Sequence, residues 1–310
     1  MGFIEHNTAA QTWSRLIAGL VFSLLIGIVA YRRGSLTRSG VAGTVLVGTL
    51  VYGFGGWIAG ILLMAFFVSS TALSHYKQNS TSKRHAAEQF EKGGTRDVGQ
   101  VLANGGAAAL FALGFLALWW VMETTIQPYP RALGMPPGPS LLEILLIGNL
   151  AALVGSLATV NADTWATELG VLSRTPPRSI LTFQPVEPGA SGGISLVGTL
   201  AALGGSSFIA VLFLLLSGVG FGMSARITTI AVATLIGGFI GAMFDSLLGA
   251  TVQSMYFSQR RQKLTEKAFE ADGTPNQHTR GLKWLTNDWV NFISSLAGAL
   301  VAAVLANLLI

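Results

Sequence analysis

The chain has 310 residues, of which 51% are hydrophobic and 11% charged, and its mean hydropathy is +0.58; a soluble domain carries about 25% charged residues, so a water-soluble globule is excluded and residues 1–310 read as a single membrane domain. Cysteine is absent, which removes disulfides, thiolate nucleophiles and cysteine-based metal sites. The net charge of +5 is modest, and its placement matters more than its size.

A membrane span needs roughly 20 apolar residues, and runs of that kind occupy 13–30, 98–121, 141–160, 193–216, 227–250 and 289–310. The first has no basic segment ahead of it and no small-residue cleavage site, so it reads as a retained helix rather than a signal peptide. The stretch 41–74 is broken by Gly53, Gly55 and Gly56 and is basic on both flanks, with Arg32, Arg33 and Arg38 before it and Lys77, Lys83 and Arg84 after it. Equal flanks favour a hairpin of two short, partly re-entrant halves over one long helix, because cytoplasmic loops collect Lys and Arg. The predicted fold is therefore all-α: a polytopic integral membrane helical bundle of about eight transmembrane segments, some short or broken. In that arrangement 16 of the 19 basic residues fall on the cytoplasmic side, leaving only Arg15, Arg131 and Arg226 opposite. Both termini are then non-cytoplasmic, in a membrane read as a prokaryotic plasma membrane. Gly237 to Gly241 would let helices pack closely, and a faint likeness links Asp163-Thr164 with Gly170 to Asp245-Ser246 with Gly249.

Charged groups at a membrane edge are costly and usually functional. Asp163, Glu168 and Asp245 lie within or against apolar runs, while Asp97 and Asp288 open helices, and all five fall on the predicted cytoplasmic side. On a helix from 97, Asp97, Gln100 and Asn104 share one face; the plainer reading of Asp97 is an N-terminal cap. Asp163 and Thr167 share a face while Glu168 sits about 140° away, so the two acids serve different partners or the helix breaks between them. Hard oxygen donors beside a basic loop suit Mg²⁺, which binds through one or two carboxylates plus phosphates; an interhelical hydrogen bond or salt bridge is the competing account. Trp165 reads as an interfacial anchor. Gly189-Ala190-Ser191-Gly192-Gly193-Ile194-Ser195 leads into a helix and could cradle phosphate with backbone N–H groups, although it lacks the Gly-Lys-Ser/Thr ending of a P-loop. Asn287, Asp288 and Asn291 open the last helix, with Asn291 one turn inside the membrane. Most of the basic residues of 255–288 follow from topology. His6, His75, His85 and His278 lack metal-ligand spacing.

These motifs, in this order, resemble the isoprenoid-phosphate kinase family that includes plant and cyanobacterial phytyl-phosphate kinase. The matching stretches are Arg33-Gly34-Ser35-Leu36-Thr37-Arg38-Ser39-Gly40, Lys92-Gly93-Gly94-Thr95-Arg96-Asp97 through Gln100 to Asn104-Gly105, Asn161-Ala162-Asp163-Thr164-Trp165-Ala166-Thr167-Glu168-Leu169-Gly170, Gly189 through Ser195, Asp245-Ser246-Leu247-Leu248-Gly249-Ala250, and Asn287-Asp288 through Asn291. They run from about residue 30 to the end. Related sequences often carry cysteines around 256–275, and this chain has none. The resemblance implies transfer of the terminal phosphate of CTP, or another nucleoside triphosphate, to an isoprenyl monophosphate such as phytyl or geranylgeranyl phosphate. On that reading Asp163 and Asp245 hold Mg²⁺ with Glu168 in support. The turn bearing Gly189, Ser191, Gly192, Gly193 and Ser195 cradles nucleotide phosphates, and Lys92 and Arg96 offset charge. Asp97, Asn104, Asp288 and Asn291 complete the site.

The partners implied are the lipid phosphate, the nucleotide and the bilayer; nucleic acid is not among them, and a homodimer is compatible. A transporter or flippase would place its polar residues near the bilayer midplane, and a cytidylyltransferase would release pyrophosphate instead of a nucleoside diphosphate. A non-catalytic scaffold would not need polar motifs from distant segments to converge.

Overall fold

The computed structural model describes residues 9–90, 94–125 and 141–309. Eight helices are drawn from the apolar runs and one loop: α1 (Ala9–Arg32), α2 (Arg38–His75), α3 (Thr81–Gln89), α4 (Val98–Thr125), α5 (Leu141–Gly170), α6 (Leu196–Phe221), α7 (Ala225–Thr251) and α8 (Asn287–Leu308). Among the described residues seven of them, all but α3, are long and apolar enough to cross a membrane. Several begin on a hydroxyl cap: Thr37, Ser80, Ser195 and Ser224 each accept a hydrogen bond from the backbone N–H three residues on, satisfying one of the orphan donors at a helix start.

The second helix is not straight. Gly56 lies at φ 77°, ψ −177°, a region open essentially to glycine, and the helix reverses there. Arg96 shows the reversal. Its backbone carbonyl accepts from Thr37 N–H (3.0 Å), and its guanidinium donates to Ser70 Oγ (3.0 Å) and Thr71 Oγ1 (3.2 Å). A straight helix would hold residues 38 and 70 roughly 48 Å apart at 1.5 Å per residue, far beyond one side chain's reach. The chain therefore enters through 38–55 and returns through 57–75, and the hairpin read from the basic flanks is present. With it, the seven long apolar helices supply eight apolar segments among the described residues.

Helix α5 is the axis of the bundle, buried continuously from Leu150 to Ala162 and in contact with α2, α4, α6, α7 and α8. Small residues set the close crossings. A methyl group on Gly237 would lie 2.6 Å from the carbonyl oxygen of Gly298, and one on Gly241 would lie 2.5 Å from Thr159. Without a hydrophobic drive between helices in lipid, such backbone approach supplies much of the packing energy.

Among the described residues the long polar connections lie at one end. Segments 33–37, 76–90, 94–97, 171–195 and 252–286 meet there, as the contacts Arg96–Ser70, Lys83–Glu168 and Ser191–Glu266 require. At the far end the first turns of α5 and α7 are joined by the ion pair Glu143–Arg226 (3.1 Å). The described start of α1 and the end of α8 are also at that far end; Arg131 and the terminal residues 1–8 and 310 lie outside the described residues.

The structure departs from the purely helical expectation in its loops. Strands β1 (Arg178–Ser179) and β2 (Gly193–Ile194) form a short antiparallel ladder. Strands β3 (Met255–Ser258), β4 (Lys263–Thr265) and β5 (Gln277–Arg280) form a second sheet in the order β4-β3-β5. These strands are two to four residues long, too short for periodicity to reveal. Helix α5 also runs ten residues past the predicted end at 160, because polar residues 161–168 remain helical while facing protein instead of lipid.

The second sheet is fixed to the bundle by Arg280, whose guanidinium donates to the carbonyls of Ala250 and Gly249 (3.2 Å for Gly249) and so caps the C-terminus of α7, where a cation is favoured. Within the sheet, Ser258 Oγ donates to Glu270 (2.5 Å) and Arg261 pairs with the same carboxylate (2.9 Å).

Two outcomes are expected. Gly56→Ala meets no atom within 4 Å, so its cost is backbone strain alone, about 1–3 kcal/mol; detergent thermal unfolding should fall accordingly, while Gly94→Ala, also in open space and at ordinary φ, should leave it unchanged. The Ser258 hydrogen bond, with help from Arg261, holds the Glu270 carboxyl below its ordinary range. A lowered folded-state pKa stabilises above the unfolded value, near 4.3, and that contribution disappears as pH falls through the folded value. The melting difference between the unaltered protein and Glu270→Gln should therefore be constant at neutral pH and close only below about pH 4.

Candidate active site

A cavity of about 580 Å³ opens at the polar end of the bundle. Asp163 enters it from α5 and Asp245 from α7, each roughly 10 Å from the end of its helix at 1.5 Å per residue. Glu266, from the segment between β4 and β5, lines the same cavity. Asp245 is oriented by Ser294 Oγ of α8 (2.9 Å). Three acids facing one cavity favour a cation or a donor-rich ligand between them, since like charges in a medium of low dielectric are costly.

Glu168 follows a different course. The helix continues unbroken through it, so it points about 100° × 5 around from Asp163 and serves other partners. Ser74 Oγ donates to one of its oxygens (2.5 Å) and Lys83 Nζ to the other (2.5 Å). Lys83 is buried and also donates to the Leu73 carbonyl (2.7 Å). With both oxygens engaged, Glu168 is the acidic half of a partly buried ion pair at the cavity wall.

Arg96 lines the same wall, with its guanidinium 5.5 Å from the Phe67 ring centroid. Removal from water lowers its pKa from the ordinary arginine value, and the Glu168 carboxylate opposes that shift; arginine still remains cationic at neutral pH. Two of its N–H donors are spent on Ser70 and Thr71, so its influence on the cavity is chiefly that of a fixed positive charge. Lys92 lies outside the described residues.

Asp97 does not line the cavity. Its Oδ1 accepts from Gln100 N–H (2.9 Å), and Gln100 Oε1 accepts from Asp97 N–H (3.2 Å), a reciprocal capping box. The plainer reading of that residue holds geometrically, whereas Gln100 and Asn104 do face the cavity. Asn104 meets Asn291 of α8 at 3.5 Å, and Asp288 and Asn291 both reach the cavity wall.

The glycine-rich turn forms the opposite wall through Gly189, Ser191, Gly192, Gly193 and Ser195. Gly189 and Gly192 take φ of +90° and +80°, and a methyl on Gly192 would collide with the backbone of Ala250. Part of the turn's hydrogen-bonding capacity is already used. Gly193 N–H donates to the Ala190 carbonyl (2.9 Å), and Ser195 Oγ caps α6 by accepting from Gly198 (3.0 Å). Ser191 Oγ donates to Glu266 (2.7 Å), which also accepts from Gln253 Nε2 (2.9 Å).

Sequence reasoning missed Glu266, Gln253 and Lys83 as wall residues. Glu266 sits among basic residues in a loop explained by topology, and its only signal was an acid in a segment otherwise rich in Lys and Arg. Trp165 stacks on Phe208 (5.5 Å) and donates to Ser69 Oγ (3.3 Å), contacts that tie α5 to α6 and to the α2 hairpin. Asn161 is wholly buried, donating to the Gly205 carbonyl and accepting from Ser69, and so ties helices together.

Among the described residues no group of three or more acidic or histidine side chains is assembled as a metal cage. The donors present do fit Mg²⁺, which needs only one or two carboxylates when phosphate and water complete its shell. Asp163 and Asp245 are such a pair.

The family model for the integral membrane protein family DUF92 matches residues 21–299. The chain is 32% identical to Protein PGR of Arabidopsis thaliana over 297 residues, covering 94% of this chain and 96% of that protein. It is 27% identical to an uncharacterized membrane protein of Methanocaldococcus jannaschii, covering 95% and 96%, and 26% identical to Protein VTE6, chloroplastic, of Arabidopsis thaliana, covering 96% and 72%. No solved structure matches. With a family match across most of its length and relatives aligned nearly end to end, the chain belongs to the DUF92 family of integral membrane proteins.

Proposed function

We propose that the protein is a membrane kinase that transfers the terminal phosphate of CTP, or another nucleoside triphosphate, to an isoprenyl monophosphate at the cytoplasmic face. The observation that carries this reading is the meeting of Asp163, Asp245 and Glu266 with Arg96 and a glycine-rich turn around one cavity at the membrane edge. Such a cavity suits a substrate whose tail stays in lipid and whose anionic head reaches polar protein.

Asp163 and Asp245 would hold a magnesium ion, which supplies charge neutralisation for the nucleotide phosphates when bound. Ser294 fixes the orientation of Asp245, and Ser191 and Gln253 fix Glu266. Lys83, braced by Glu168 and the Leu73 carbonyl, and Arg96, braced by Ser70 and Thr71, set a positive field over the cavity that favours two phosphorylated substrates together. Phosphoryl transfer depends chiefly on positioning and electrostatics. An oxygen of the lipid monophosphate bonds to the terminal phosphorus, the bridge to the leaving nucleoside diphosphate breaks, and that diphosphate keeps the bonding electrons. The attacking oxygen is already ionised at neutral pH, so no general base is needed. The acids stand near the ends of α5 and α7 instead of at mid-membrane, which favours chemistry on a headgroup over transport.

The decisive experiment incubates purified protein with Mg²⁺, a panel of nucleoside triphosphates and isoprenyl monophosphates of several lengths, and identifies both products. A lipid diphosphate with a nucleoside diphosphate is expected; pyrophosphate with a nucleotide-linked lipid would replace this reading with nucleotidyl transfer. Asp163→Asn and Asp245→Asn should each lower kcat/KM by roughly 100-fold or more, the scale of several kcal/mol of charge stabilisation. Asp97→Asn, in a capping position, should cost only about 1 kcal/mol of stability or less and little activity.

A further inference from the structure

A second cavity, of about 400 Å³, lies inside the apolar part of the bundle. It runs between α1, the two halves of the α2 hairpin and α4, with Phe22, Val47, Tyr52, Ile61 and Met64 among its walls. Tyr52 stands 14 residues into the hairpin, so the groove penetrates roughly 20 Å at 1.5 Å per residue. Its polar end is formed by Arg96, Gln100 and Asn104, and the same three residues line the polar cavity. The transition from apolar to polar walls is abrupt at Phe67, a groove residue that lies beneath the Arg96 guanidinium.

We propose that this groove holds the hydrocarbon chain of a single-chain lipid phosphate whose head projects past Arg96 into the polar cavity. The inference rests on the kinase reading for the identity of the head, but the site stands on its own walls. Continuity through three shared residues gives one path from grease to charge. Size selects the occupant: at about 30 Å³ per water-sized group, the groove takes roughly a dozen chain carbons, enough for much of one isoprenyl chain and too few for a two-chain phospholipid. Anchoring the head at Arg96 also gives orientation, since a chain entering the other way would bury its phosphate among Tyr52, Trp57 and Gly60.

The test uses the full protein in nanodiscs, photolabelled with geranylgeranyl monophosphate carrying a diazirine at the far end of its chain, with the corresponding alcohol as control. Adducts are expected within residues 52–64, about 10-fold or more stronger for the phosphate than for the alcohol, a ratio equal to one decade in affinity. Met64→Trp, which fills the groove, should reduce labelling by a similar factor, while Met64→Ala should retain it; should Met64→Trp fail to fold, the adduct map of the unaltered protein decides. Adducts confined to the lipid-facing side of α1, or equal labelling by the alcohol, would overturn the proposal. Because the readout needs no phosphate transfer, labelling in the groove of a protein that forms no diphosphate would sink the kinase reading and keep this one. Diphosphate formation with adducts elsewhere would do the reverse.

Discussion

Two acidic side chains held within one membrane bundle are the constraint around which this molecule is arranged. Asp163 and Asp245 come from separate helices and face the same space, with Glu266 completing the acidic wall. In a low-dielectric setting such a grouping is tolerated only when water, a cation or donors share the space. The hydroxyls of Ser294 and Ser191 answer part of that need. Among the positive groups Lys83 is paired with Glu168 and Arg96 is held by Ser70 and Thr71, so neither cation is bonded to Asp163, Asp245 or Glu266. A chamber kept open between fixed charges is a place for a charged guest.

Much of this was legible in the sequence. Basic residues on both sides of 41–74 identified the hairpin, because charge placement reports sidedness independently of helix length. The helix assignment alone, 38 unbroken residues, would have said the opposite; Gly56 and the double contact of Arg96 restore the reversal. The separation of Asp163 from Glu168 followed from helical geometry, and their different partners are what a continuous α5 requires. The spatial meeting of the Asp163, Asp245, Asn291 and Gly189–Ser195 segments was expected from their common side of the membrane.

What escaped was tertiary. Glu266 acquires its place from a three-stranded sheet whose strands are too short to show alternation, and Lys83 from a nine-residue helix, α3, that is mostly polar. Asp97 was drawn toward the site by neighbours that do belong there, but a carboxylate at a helix start has a local use that needs no ligand. Trp165 stacks on Phe208 of α6, a contact between helices that no local pattern shows.

The Arg280 cap has a mechanical consequence. Its guanidinium grips the last carbonyls of α7, and Gly281 lies so close to the Gln253 carbonyl that a side chain there would have no room. The extramembrane sheet and the terminal turn of α7 therefore form one lever: tilt or pull on the sheet is transmitted to a helix carrying Asp245 less than two turns upstream. A protein that grips the outer surface of that sheet would have its hand on an acidic residue of the chamber without entering it.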